Sequence, residues 1–390
     1  MKSLRIVFLL VLLIFLANLV WGQKSEKPRL PASAIKTSAK ISMKDEYRMY
    51  DSAIAILQEG VQYYPDDAEM HYLLGEAYYY KKNYLGMGEQ FALAESLKSD
   101  AKWNDDINEK RKETWMQVFN QGAKAFNKKD YDTAEEKFVA CTVIDRSAFR
   151  GFLYAGLSYT MKKEFDKALP YLKAGLKLSP DNPEMLKGYA DVMLYTDSLE
   201  EAVDYYKKVL EKDPQNVEVL INLVAIYSNE KDFDQALDYS LKLTEADSTY
   251  KDGFFNMGTI YLQKIVQTNL ALDSLKDASG EYLKDEKSAA KVAKLTDEKN
   301  GYLTSAQGAF EKVLQIDSTD LEAQVYLAEV YQEEGNIDKA MAILEPIVQK
   351  DSTNCDALRQ IAIIYAKKGV GEKAKVAWQK AQDCLKNNPK

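Results

Sequence analysis

The sequence is poor in the residues from which most enzyme sites are assembled. It has a single histidine among 390 residues, which excludes any metal centre built from several histidines. That residue, His71, sits where a recurrent pattern of the chain places a large packing side chain, so it reads as structural. The three cysteines make no CxxC pair, and neither a GxGxxG stretch nor a Walker-type phosphate loop occurs. No cofactor or metal site follows from motifs of these kinds. Adjacent carboxylates such as Asp105 and Asp106, or Glu200 and Glu201, read as solvated helix faces. Basic residues are also in deficit, with 52 Lys and Arg against 60 Asp and Glu and a formal net charge of −8. A nucleic-acid binder needs a concentrated basic surface to neutralise phosphates, and this composition does not supply one. Nothing here points to catalysis.

What the chain does have is a period. Ala134, Ala168, Ala202 and Ala236 lie 34 residues apart, and Ala306, Ala340 and Ala374 repeat the spacing. Three residues upstream of these alanines stand Tyr131, Phe165, Leu199, Phe233 and Ile337, with Val370 four upstream of Ala374, and five upstream lie turn residues such as Lys129 and Gly335. Four downstream are Phe138, Leu172, Tyr206, Phe310, Leu344 and Trp378. Small residues recur twelve upstream at Gly122, Gly156, Ala190, Ala328 and Ala362. Twelve downstream, Pro180 and Pro214 alternate with Ser248, Ser318 and Ser352. Small residues let antiparallel helices approach, large ones fill the layer between hairpins, and proline stops the second helix. A hairpin of this size cannot bury its apolar face alone, so stacking must supply the core.

The pattern resembles the tetratricopeptide repeat, a helix-turn-helix unit of 34 residues. The resemblance implies an all-α, right-handed α-solenoid of stacked antiparallel hairpins, without catalytic residues, that binds a protein or peptide partner on a concave surface. Laid on the chain, it gives a partial unit at 45–67 and units at 68–101, 115–148, 149–182, 183–216, 217–250, 251–320, 321–354 and 355–388. Two breaks interrupt the register. Thirteen residues, 102–114, separate two units, and 36 extra residues at about 265–300 lie inside another, where helical spacing at Ala289 to Leu295 and a break near Ser279 and Gly280 predict a projecting hairpin extension.

The ends of the chain differ from this body. Lys2 and Arg5 precede an apolar run from Ile6 to Trp21, the layout of a signal peptide over residues 1–22. Export to the periplasm of a Gram-negative bacterium is the expected destination; the alternative is an inner-membrane anchor through residues 6–21, the only expected membrane contact. Residues 23–44 are basic, contain Pro28 and Pro31, and read as a flexible or weakly helical linker. At the other end, the antiparallel geometry of the last hairpin makes Cys355 and Cys384 neighbours in space. They form either a disulfide in an oxidising compartment or two partly buried free thiols. Cys141 reads as an inert core thiol.

Carrying over the concave geometry of such repeats, the candidate peptide-binding groove comprises Tyr72, Tyr79, Phe119, Phe126, Leu153, Lys187, Asn222, Phe255 and Asn256. Asn222 and Asn256 occupy a place where these repeats often carry an asparagine able to bond a peptide backbone. The Lys, Asn and Arg set that some members use to clamp chaperone C-termini is absent: residues such as Phe119, Ala123 and Glu218 fill its places. A second expectation is a small-molecule or cell-wall-glycan binding module, with aromatic rings stacking on sugars. Of its tryptophans outside the leader, Trp103, Trp115 and Trp378, none holds a clear groove position.

Overall fold

A computed structural model of the chain describes residues 30–98 and 102–387. These residues form eighteen helices and no strand, apart from one isolated antiparallel bridge between Lys276 and Tyr282. The expected leader lies outside the described residues. By internal packing the helices divide into two compact units, one ending at Thr196 and the other beginning at Asp197.

The first unit contains α1 (Ala32–Met43), α2 (Tyr50–Tyr63), α3 (Ala68–Tyr80), α4 (Tyr84–Leu97), α5 (Asn104–Asn127), α6 (Tyr131–Ile144), α7 (Phe149–Met161), α8 (Phe165–Leu178) and α9 (Pro183–Tyr195). The second contains α10 (Leu199–Lys212), α11 (Val217–Asn229), α12 (Phe233–Ala246), α13 (Lys251–Asp273), α14 (Glu286–Ile316), α15 (Leu321–Glu333), α16 (Ile337–Lys350), α17 (Cys355–Lys367) and α18 (Gly371–Asn387). Within each unit successive helices pair as hairpins that stack on one another.

Local chemistry sets these boundaries. Asp67, Asn83, Asp130 and Asn182 cap helices of the first unit, and Asn216, Asp232, Asp285, Asp320 and Asn354 cap helices of the second. Each side chain accepts a backbone N–H from the first turn. Between the helices of a hairpin the chain passes through the left-handed region at Lys82, Lys129, Lys163 and Lys231, and at Gly335 and Gly369. Between hairpins a different turn recurs. Asp247, Asp317 and Asp351 each accept both the N–H and the hydroxyl of the threonine two residues on, at 2.6–3.0 Å. The serines that replace proline at the ends of repeats are thus the middle residues of Asp-Ser-Thr turns.

The small and large positions of the repeat meet in the core. A Cβ added at Gly75 would fall 2.4 Å from the Phe91 ring, and one at Gly156 would fall 2.6 Å from Leu172. One hairpin inverts the sizes: Val224 occupies the small position and the fully buried Ser240 the large one.

Three stretches depart from the plain repeat. Residues 32–43, within the stretch read as a flexible or weakly helical linker, form a helix. Ile35 and Ala39 of α1 are buried against α2 and α3, and Lys36 pairs with Asp67 at 3.0 Å and Glu69 at 2.9 Å. Two apolar contacts and these ion pairs fix the helix, and a propensity reading does not see ion pairs across helices. Most of the 102–114 stretch extends α5 at its start. There Arg111 binds Glu95 of α4 at 2.6 and 3.0 Å and the Ile144 carbonyl of α6 at 2.9 Å. The 36 extra residues lengthen α13 and α14, which run side by side and join through a turn containing Gly280 at φ +86°. Cys355 and Cys384 form a disulfide, with Cα atoms 5.5 Å apart. Cys141 is free and buried, and burial pushes its thiol up to about 12.

Candidate functional site

The proposed groove residues all lie on the first helices of their hairpins, yet the structure gives them different tasks. In the first unit most are engaged in packing. The Tyr72 ring stacks on Trp103 at 5.3 Å and Phe91 at 6.3 Å, and its hydroxyl donates to Asp106 at 3.0 Å. The Tyr79 hydroxyl donates to Glu113 at 3.0 Å, while the Lys110 ammonium sits 5.6 Å from the ring centre. Burial, reinforced by that bond to Glu113, pushes the Tyr79 phenol up to about 12. Phe119 stacks on Trp115 at 4.7 Å and meets Phe138 and Tyr154 edge-on, and Phe126 packs on Tyr131, Phe138 and Tyr154. Lys187 is paired with Asp191 at 3.0 Å.

Leu153 is a correction. It is 1% exposed and cannot meet a ligand. Its Cδ1 lies 3.1 Å from the point a Cβ of Gly188 would occupy, so the absence of a side chain at Gly188 lets α9 close over it.

The second unit is different. Between α11 and α13 lies an open cleft of about 540 Å³. Its apolar floor is Ile221, Val224, Ala225 and Ile260, with Phe233 at one side. Asn256, Thr259, Ser228, Asn229, Gln263 and Lys231 complete the lining. Among the described residues the Asn256 carboxamide, the Gln263 amide and the Lys231 ammonium have no internal partner. Asn222 does not share this freedom: its Nδ2 donates to the hydroxyl of the fully buried Tyr206 at 2.9 Å. Phe255 is also spent, edge-on to Phe310 at 5.9 Å and to Tyr326 at 5.5 Å.

A second cleft of about 260 Å³ opens between α15 and α17. Leu321, Val325 and Tyr326 form its apolar wall, and Glu322, Glu329, Asp356 and Arg359 its charged one. No group of His, Cys, Asp and Glu among the described residues could hold a metal ion. The single histidine is built into the packing, with its two ring nitrogens 2.7 Å from Gln90 Oε1 and 2.8 Å from the Pro65 carbonyl.

Two family models, both of the tetratricopeptide repeat, match this chain, one over residues 48–95 and 155–217 and the other over 196–249 and 299–375. The chain belongs to the tetratricopeptide-repeat family. The stacked hairpins of solved tetratricopeptide-repeat proteins are similar to it at low identity. The C-terminal part of a repeat-containing protein from Cytophaga hutchinsonii is 15% identical with a TM-score of 0.49, covering 70% of this chain and 96% of that one. A tetratricopeptide repeat protein from Parabacteroides merdae is 15% identical with a TM-score of 0.38, covering 69% and 93%. YrrB, described as having an unusual peptide-binding site, is 17% identical with a TM-score of 0.44, covering 60% and 100%. Among curated proteins, no sequence matches this chain. Tetratricopeptide-repeat proteins are in general protein-interaction scaffolds, and the all-α hairpin stack of this one fits that role.

The clefts themselves were only partly legible beforehand. Asn256 was marked by its place in the repeat. Ser228, Gln263 and Lys231 were not, because nothing in a sequence tells a free polar group from one already paired across helices.

Proposed function

We propose that this tetratricopeptide-repeat protein is a non-enzymatic scaffold of the bacterial envelope, exported by its leader, that binds an extended segment of a protein partner on the first-helix faces of its hairpins. The observation that carries the reading is the cleft between α11 and α13. There an aliphatic floor lies beside unspent amide and ammonium groups at Asn256, Gln263 and Lys231. An extended peptide supplies what such a surface lacks, namely apolar side chains for the floor and backbone donors and acceptors for the amides. No helix among the described residues is long and apolar enough to cross a membrane.

The test is site-specific photo-crosslinking in cells. A benzophenone amino acid at Gln263, on the cleft, should capture a partner from the envelope fraction, and the same residue at Leu241, exposed on α12, should not. Equal capture at both positions, or none at Gln263, overturns the reading. N-terminal sequencing of the fractionated protein tests the leader: a mature chain starting near Gln23 in the periplasmic fraction is the expected result.

The glycan reading has less support. Trp103 and Trp115 are stacked inside the first unit with their indole nitrogens buried, which leaves Trp378 as the one exposed tryptophan among the described residues.

A further inference from the structure

Three hairpins carry a carboxylate at one register position, immediately after the small residue of the first helix: Glu76 after Gly75, Asp191 after Ala190 and Glu329 after Ala328. In two of them the protein supplies a cation. Glu76 faces Lys110 at 3.8 Å, and Asp191 faces Lys187 at 3.0 Å. Glu329 has no such partner. The nearest guanidinium across its cleft, that of Arg359, is paired instead with Asp356 at 3.5 Å. Among the described residues, no ammonium or guanidinium lies within ion-pairing reach of Glu329.

What Glu329 does have is an amide. Gln360, 3% exposed, donates its Nε2 to Glu329 Oε2 at 2.7 Å. The other atom of that amide, Oε1, is buried and has no hydrogen-bond partner. A buried acceptor without a donor is costly, and here it adjoins a carboxylate that still has an oxygen to offer. Burial raises the Glu329 carboxyl above its ordinary value, Glu333 adding to the effect and Arg359 opposing it. The one cation in the cleft lining, Arg359, is committed to Asp356, so Glu329 and the Gln360 Oε1 are left short of donors. The adjoining cleft adds Glu322 and Asp356 as further acids, and Leu321, Val325 and Tyr326 as an apolar wall for an alkyl stem.

We propose that the cleft between α15 and α17 is a specificity pocket for a cationic side chain of the bound partner segment, arginine before lysine, with Glu329 as its counter-charge. A guanidinium brings several donors in a fixed plane, enough to reach two acceptors at once, whereas an ammonium is a point charge. The inference rests on the reading of the protein as a peptide-binding scaffold and adds the chemistry of one side chain to it.

The experiment uses the full oxidised chain and an immobilised library of ten-residue peptides in which one position at a time is fixed as arginine, lysine, citrulline, norleucine or glutamate. The chain should retain peptides with a fixed arginine about tenfold better than those with citrulline, the scale of one charge-assisted contact. Glu329→Gln should bring that ratio close to one while preference for apolar residues at other positions persists. Arg359→Gln, which removes the competing cation, should raise it. A cation preference unchanged in Glu329→Gln, or peptide retention without any cation preference, overturns the pocket and leaves the scaffold reading standing. Retention of no peptide by a variant-free, folded chain overturns both.

Discussion

Phe310 packs its ring against Gly258 across the long α13–α14 hairpin, so closely that a Cβ at Gly258 would lie 2.6 Å from the ring. The contact belongs to the regular repeat and survives the insertion of 36 residues between its two partners. Gly258→Ala should therefore destabilise the protein by about 1–3 kcal/mol, the usual cost of overpacking a filled core. Gly301, in the same hairpin, has nothing within 4 Å of its would-be Cβ. Gly301→Ala should stabilise by about 0.5–1 kcal/mol through helix propensity alone. Urea melts of both variants check the pair, and a shift of the same sign in each would refute the packing argument.

Two asparagines at one repeat position should separate stability from binding. The Asn222 amide is committed to Tyr206, whereas the Asn256 amide is unspent. Asn222→Ala removes a donor from the hydroxyl of the buried Tyr206 and should cost about 1–3 kcal/mol of folding free energy. Asn256→Ala should leave the melting temperature nearly unchanged and weaken peptide retention several-fold. The reverse pattern, binding lost through Asn222 and stability through Asn256, would show the clefts to be wrongly assigned.

The Asp-Ser-Thr turns make a prediction about acid. Threonine hydroxyl and backbone N–H donors hold the Asp247, Asp317 and Asp351 carboxyls below their ordinary value. An acid depressed in the folded state stabilises the fold above its unfolded value of about 3.9 and loses that contribution as pH falls through the folded one. The triple Asp→Asn variant should thus melt below the parent at neutral pH, and the gap should close as acid protonates the parent's turns. A melting-temperature difference that stays constant from pH 7 into the acid range would exclude this origin.

Thiol chemistry tests the last hairpin. The oxidised, folded chain should react with no thiol reagent, because its one free cysteine, Cys141, is buried. One thiol should appear on denaturation and three after reduction. Reduction should also lower stability by about 3–4 kcal/mol in the chain-entropy account of a loop this long. Three reactive thiols without reductant would remove the bridge.

The hairpin stack was readable because a core of alternating small and large residues writes its period into the chain, as at Gly156 and Leu172. The inverted pair Val224 and Ser240 did not obscure it, since both positions stay buried. Helix α1 is only weakly legible in the sequence because two buried residues and ion pairs to Asp67 and Glu69 hold it, and none of these is periodic. The groove residues fared unevenly for a related reason. Repeat register tells which face of a helix a residue occupies, but occupancy is decided by what other helices bring. Trp103, from outside the repeat, covers Tyr72, and the bare Gly188 lets α9 bury Leu153.

The bond between Cys355 and Cys384 has a consequence for covalent continuity. Five lysines, Lys367, Lys368, Lys373, Lys375 and Lys380, lie between the two cysteines, and those at the turn from α17 to α18 are exposed to a trypsin-like protease. A single cut there opens the backbone without releasing a fragment, because the two halves of the hairpin remain one molecule through sulfur. Any single cut between Cys355 and Cys384 thus leaves the last hairpin in place.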